Sequence, residues 1–244
     1  MDTLSWTNLN PTVKRVGTKK KFFGRFLNKI VVWCPAVSIV YDKHETDAAI
    51  LLERKLAIMH NRRNTYYSYT MIHKITDIEK YAVIEQLQYF MDLKNANNDA
   101  IKIRIEDPAI TIYSDDLNLL YKIAADMNPE RLREVHTPAN DYAAEALNRG
   151  EIIIKKPMEF EYKIMLKETM MDQSTKHNIL DYLYNLDKND EVCLTKSLVK
   201  NLRGDFTYFQ GGYFYAKDEQ TVTFIGLICP GIISGIFKLT KLEP

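Results

Sequence analysis

Ile101-Lys-Ile-Arg-Ile-Glu-Asp-Pro-Ala-Ile-Thr-Ile-Tyr-Ser-Asp-Asp-Leu117 is the stretch on which the fold turns. Ile101, Ile103 and Ile105 alternate with Lys102, Arg104 and Glu106, the pattern of a strand with one wet face. Glu106-Asp107-Pro108 makes a turn, because Pro presets the backbone and Asp bonds to nearby amides. Ile110–Tyr113 returns as the second strand, and Ser114 or Asp115 can cap a helix over Leu117–Met127.

Working outward, the same order of elements recurs. In the first copy a tyrosine-rich run, Tyr66–Ile75, reads as a strand ahead of an amphipathic helix over Glu79–Lys94 with the stripe Val83, Leu87, Phe90 and Met91. The second copy starts at Phe160–Lys167, where Phe160, Tyr162, Ile164 and Leu166 alternate with polar neighbours. It continues through helices at Lys176–Leu186 and Lys196–Arg203, the latter capped by Thr195 and ended by Gly204, and a hairpin of Tyr213–Ala216 with Val222–Ile225. It closes on the apolar segment Gly231–Leu239. The expected fold is α+β: two related strand–helix–hairpin–helix modules of the ferredoxin-like, split βαβ kind after a basic N-terminal arm. The expected boundaries are 1–28 for the arm, 29–127 for the first module, 128–157 for a proline-flanked connector and 158–244 for the second module. The connector holds a short helix capped by Asp141 and stopped by Gly150. Ile30–Trp33 reads as a strand, and Thr46 or Asp47 caps a helix with the stripe Ala49, Leu52, Leu56 and Met59.

Charge is unevenly distributed along these 244 residues, whose net charge is only +1. Residues 1–31 carry Lys14, Arg15, Lys19, Lys20, Lys21, Arg25 and Lys29 against Asp2 alone, a charge of +6 that leaves −5 on the rest. With Phe22 and Phe23 among the cations, the arm suits an acidic partner protein, with the rings as anchors, or nucleic acid, with cations on phosphates and rings on bases. A solvated hairpin whose rings join the core is the structural alternative. The N-terminal run MDTLSWTNLNP has no apolar signal region, and the most hydrophobic stretch, Val222–Phe237, is broken by Pro230 and three glycines. No secretory signal and no membrane span is expected; a buried strand–turn–helix is. Cys34, Cys193 and Cys229 form no CxxC pair, which argues against a disulfide framework or zinc site and for a reducing, cytoplasmic or particle-incorporated setting. His44, His60, His73, His136 and His177 show no metal-ligand spacing.

Two motifs resemble catalytic ones. Lys74-Ile-Thr-Asp77-Ile-Glu-Lys-Tyr81 and Tyr113-Ser-Asp-Asp116 resemble the two metal-binding segments of reverse-transcriptase-type palm domains, which implies paired Mg²⁺ ions for phosphoryl transfer. Yet 38 residues between Asp77 and Asp115 leave no room for the helical motif between those segments, and helix capping explains the same carboxylates. Gly226-Leu-Ile-Cys-Pro-Gly231 has P-loop glycine spacing, but Ile232 and Ile233 stand where Lys and Ser/Thr belong.

The expectation is therefore a non-catalytic structural or adaptor component of a larger assembly, engaging an acidic partner through Lys14, Arg15, Lys19, Lys20, Lys21, Phe22, Phe23, Arg25 and Lys29. Its partners are other protein subunits, with nucleic acid as the alternative; no cofactor, metal, membrane or small-molecule substrate is expected. A virus- or phage-encoded structural protein fits the size, the compositional bias and the lack of enzyme motifs. A divergent metal-dependent phosphoryl-transfer enzyme on Asp77, Asp115 and Asp116 is the third reading.

Overall fold

The alternation of Ile101, Ile103 and Ile105 produces β3 (Ile101–Glu106), paired antiparallel along its length with β4 (Ala109–Ser114). The computed structural model describes residues 6–34, 47–61, 77–96, 99–106, 109–156 and 158–242. Asp107, Pro108, the run 66–75 with His73, and His44 lie outside them. The chain divides into two compact units, Met1–Ala139 and Asn140–Pro244.

In the first unit a helical turn, α1 (Trp6–Leu9), precedes β1 (Lys14–Gly17) and β2 (Asn28–Trp33). Then come α2 (Ala48–Asn61), α3 (Asp77–Ala96), the hairpin, α4 (Leu117–Asp126) and β5 (Leu132–Thr137). The sheet order is β1-β5-β2-β4-β3, with β1 parallel to β5 and the other pairs antiparallel. Register opposes Ile30 to Ile112 and Val135, so these side chains share one face. That face is buried with Leu51 and Leu52 of α2, Leu87 and Phe90 of α3, and Leu120, Ile123 and Ala124 of α4.

The α3 stripe is buried as its periodicity requires. In α2, Asp47 accepts from the amides of Ala49 and Ile50, at 2.9 and 3.0 Å, but Ala49 is exposed, and Ala48 and Leu51 are buried instead. The cap fixes where the helix starts, and so which residues turn inward. Between β5 and β4 stands β2; the run Tyr66–Ile75, expected as a strand, lies outside the described residues. Of the stretch read as an arm, residues 14–17 join this sheet as β1, paired with β5.

The stretch read as a connector contributes to both units: β5 pairs in the first sheet, while α5 (Asp141–Asn148) and β6 (Ile152–Ile154) belong to the second. The α5 cap is Asn140, whose Oδ1 accepts from the Ala143 amide at 2.8 Å; Asp141 is the first helical residue. The second unit continues with β7 (Tyr162–Leu166), β8 (Thr169–Met170), α6 (Gln173–Lys188), β9 (Val192–Leu194) and α7 (Lys196–Arg203). Then follow β10 (Tyr208–Phe209), β11 (Gly212–Ala216), α8 (Thr221–Ile228) and β12 (Ile233–Lys241). Its main sheet runs β6-β12-β7-β11-β9, and β8 pairs with β10 in a two-stranded ribbon. Counting only the strands of each five-stranded sheet, both read first-fifth-second-fourth-third, with the first strand parallel to the fifth.

Two elements reverse their expected type. Val222–Ile225 lies in α8, not in a returning strand, and Gly231–Leu239 supplies most of β12, not a helix. Short apolar runs do not distinguish helix from strand by pattern. Here two neighbours decide: β7 and β6 both lack a partner on that side, and a nine-residue strand pairs with both. Gly231 is at φ +72 in the turn between them, which favours glycine. The Phe237 ring covers Gly235 so closely that a Cβ there would lie 2.6 Å from it.

Candidate anionic-partner surface on the first unit

The face of the first sheet opposite its helices is built by the same register. Lys29 of β2 stands opposite Tyr113 and His136, Tyr113 opposite Lys102, and Thr111 opposite Arg104. Residues 18–27 fold over part of it. The Thr18 amide donates to Thr137 O at 2.8 Å, and the Thr18 hydroxyl donates to Leu27 O at 2.9 Å, closing the base of the loop. At its tip Phe22 and Phe26 exchange amide–carbonyl bonds of 2.8 and 3.0 Å around Phe23 and Gly24, both at positive φ (55° and 71°). A phenylalanine in that region is uncommon and strained.

Ring contacts offset the strain. Phe22 and Phe23 pack on Tyr113 at centroid distances of 5.3 and 5.0 Å, and Phe22 meets His136 edge-on at 6.0 Å. Cations cover the rings: Lys102 at 3.5 Å from Phe23, Lys29 at 5.1 Å from Phe22, and Arg25 at 4.9 Å from Phe26. Phe26 and Tyr113 are buried, whereas Phe23 stays 50% exposed. Beside it is an open hollow of about 630 Å³, lined by Lys19, Lys20, Lys21 and Arg104 among others. Partial burial holds the Lys20 ammonium below its ordinary pKa.

Lys14 and Arg15 lie on exposed β1, and Lys14 Nζ pairs with Glu134 Oε1 at 3.0 Å. Sequence reading grouped the cations of residues 14–29 but missed Lys102, Arg104, Tyr113, Glu134 and His136. The alternation in β3 put Lys102 and Arg104 on a wet face; only strand pairing brings that face beside the loop.

His136 Nε2 lies 2.9 Å from Glu134 Oε2. Burial holds the His136 pKa below 6.5, so the neutral ring donates its Nε2–H to the carboxylate. The bonds from His136, then Lys14, hold the Glu134 carboxyl below its usual value. Both shifts mean that the unfolded chain binds more protons than the folded one. For His136, stability falls as pH drops below about 6.5 and stops falling below its folded pKa. For Glu134, a second loss follows as pH drops through its folded pKa, below about 4.3. Urea midpoints followed from pH 7 to below the folded pKa of Glu134 should therefore decline in two steps. His136→Gln, which keeps a donor for Glu134, should remove the upper step alone.

Two of the carboxylates resembling a metal site are engaged by backbone amides. Asp116 Oδ1 accepts from the Leu119 amide at 3.0 Å as the N-cap of α4, and Asp115 Oδ1 accepts from the Leu27 amide at 2.7 Å. Asp77 begins α3. Among the described residues no group of three His, Cys, Asp or Glu is arranged to hold a metal ion. Asp116→Ala should cost about 0.5–2 kcal/mol of stability by urea titration. A loss below this range would mean that the cap is not the function of that side chain.

Cys34, Cys193 and Cys229 are free thiols, and burial pushes Cys34 up to about 11, far from a nucleophilic thiolate. Among the described residues no helix is long and apolar enough to cross a membrane. No family model, curated protein or solved structure matches the chain.

Proposed function

We propose that this protein is a non-catalytic structural or adaptor component of a larger assembly, such as a virus or phage particle, and engages an acidic partner protein through the basic surface of its first unit. Each unit is read as a ferredoxin-like, split βαβ module with one added strand. The shared strand order supports this, because the second to fifth strands of each sheet run fifth-second-fourth-third.

One observation carries the functional reading: Lys14, Lys29, Lys102 and Arg104 share one sheet face, beside the hollow lined by Lys19, Lys20 and Lys21, around rings whose faces already hold lysines, while Arg15, opposite Val135, is on the other face. A ring with Lys102 at 3.5 Å presents cation and edge to a carboxylate, and offers less free face to a base. The second reading, single-stranded nucleic acid, draws on the exposed half of Phe23 beside the lysine-lined hollow.

Mass measurement of the native species separates the two. An oligomer or complex that survives nuclease and dissociates with salt supports the assembly role. A mass that collapses on nuclease treatment supports nucleic acid, and a monomer under all conditions overturns both.

A further inference from the structure

Lys176 lies on the first turns of α6 and is 1% exposed, among the largest buried side chains of the protein. Its Nζ donates to Gly204 O at 3.0 Å and to Phe206 O, both in the loop between α7 and β10. Gln173 Nε2 donates to the same Gly204 oxygen at 3.1 Å. Among the described residues no carboxylate pairs with this ammonium. Desolvating an ion costs several kcal/mol, and lysines buried this deeply are nearly always paired. Two neutral carbonyls offset part of that penalty and engage two of the three N–H bonds.

Lys176 also lines an open hollow of about 320 Å³, with Lys200, Asn201, Gly204, Phe206, Tyr208 and Gln210. That volume is at the lower end of small-ligand sites. Asn201 and Tyr208 are engaged, by Gly211 O at 2.9 Å and the Glu168 carboxylate at 2.6 Å. Lys176 and Lys200 are thus the charged groups of the lining. A neighbouring hollow shares Lys200 and Gly204 and adds Lys196 and Arg203, so cations outnumber the one acid, Asp187, in the two linings. Asp187 accepts from the Leu194 amide, and the loop's own Asp205 is exposed and outside the lining of the smaller hollow. Phe206, at its rim, is 81% exposed, an unusual position for a phenylalanine.

We propose that this hollow binds a phosphate group, free or as a nucleoside monophosphate, with Lys176 and Lys200 on its oxygens and Phe206 against the base. Two cations in a lining that holds no carboxylate of its own, Glu168 being engaged by Tyr208, match a dianion better than a single carboxylate, and binding supplies the charged partner that the buried ammonium lacks. The exposed ring adds a stacking face that a free phosphate does not use. Sequence reading missed this site because Lys176 looks like any helix-surface lysine; its burial exists only in the packed structure.

The test is calorimetry and thermal melting of the full chain with inorganic phosphate, ribose 5-phosphate, AMP and acetate at constant ionic strength. Phosphate should raise the melting temperature and acetate should not, because a ligand that binds only the folded state stabilises it. Lys200→Ala should leave the unliganded melting temperature unchanged and weaken phosphate by about tenfold or more. Lys176→Met should abolish the response; if that variant does not fold, Lys200→Ala decides. AMP binding more tightly than ribose 5-phosphate, with Phe206→Ala erasing the difference, supports the nucleotide. Equal affinities overturn the base contact and leave a phosphate site. No response to phosphate or AMP at about 10 mM, or a Lys200→Ala protein that binds like the unmodified chain, overturns the proposal.

Discussion

Replacing Phe214 with alanine is expected to destabilise the second unit by about 3–5 kcal/mol. That is a large part of the roughly 5–15 kcal/mol that holds a folded domain together. Phe214 is fully buried at the centre of β11, opposite Ile164 of β7 on one side and Leu194 of β9 on the other. It belongs to the cluster of Leu183, Leu198, Leu202 and Ile225 from α6, α7 and α8. Truncation removes the ring's transfer free energy and leaves a cavity beneath three helices, which fixed strands cannot close. Tyr215, one residue on, points to the other face and is half-buried, so Tyr215→Ala should cost less than half as much. Urea titration of both variants checks this. Equal losses would mean that the two faces of the sheet are not distinguished as the register requires.

Lys19, Lys20 and Lys21 changed together to alanine should abolish most binding by the first unit while leaving its stability nearly intact. These lysines edge the hollow beside Phe23 and lie outside the apolar cluster of the unit. With a single-stranded nucleic acid as partner, removing three phosphate contacts should flatten the slope of log K against log salt by about two units, alike for all sequences. An acidic protein partner should give a shallower salt dependence, and Phe23→Ala should then cost about 2 kcal/mol of binding or more. Phe22→Ala is the less informative variant, because that ring packs on Tyr113 and His136 and its loss also loosens the loop. Salt-dependent binding unchanged in the triple variant would remove this surface from the function altogether.

The hairpin of β3 and β4 and the buried stripe of α3 were legible because each is a local pattern; the cap of α4, expected at Ser114 or Asp115, is Asp116. Alternation marks a strand face, and a carboxylate before an apolar run marks a helix start. The Thr195 cap and the Gly204 end of α7 were legible for the same reason. Local pattern misled at α8 and β12, where the run 222–239 is apolar on either reading. It also hid β9, whose three residues are too short to alternate visibly.

By itself, then, the sequence determined the mixed α+β class, the β3–β4 hairpin and the concentration of cations in residues 1–31, since each follows from spacing or from counting charge. Tertiary structure alone decided three things. It gave the fifth strand of each sheet its place beside the first and second, folded the basic segment onto the face that carries Lys102 and Arg104, and sank Lys176 beside Gly204 and Phe206. Each depends on which distant segments supply the missing hydrogen bonds or cover the apolar face. Backbone groups must find partners, but their local sequence does not say which partners those will be.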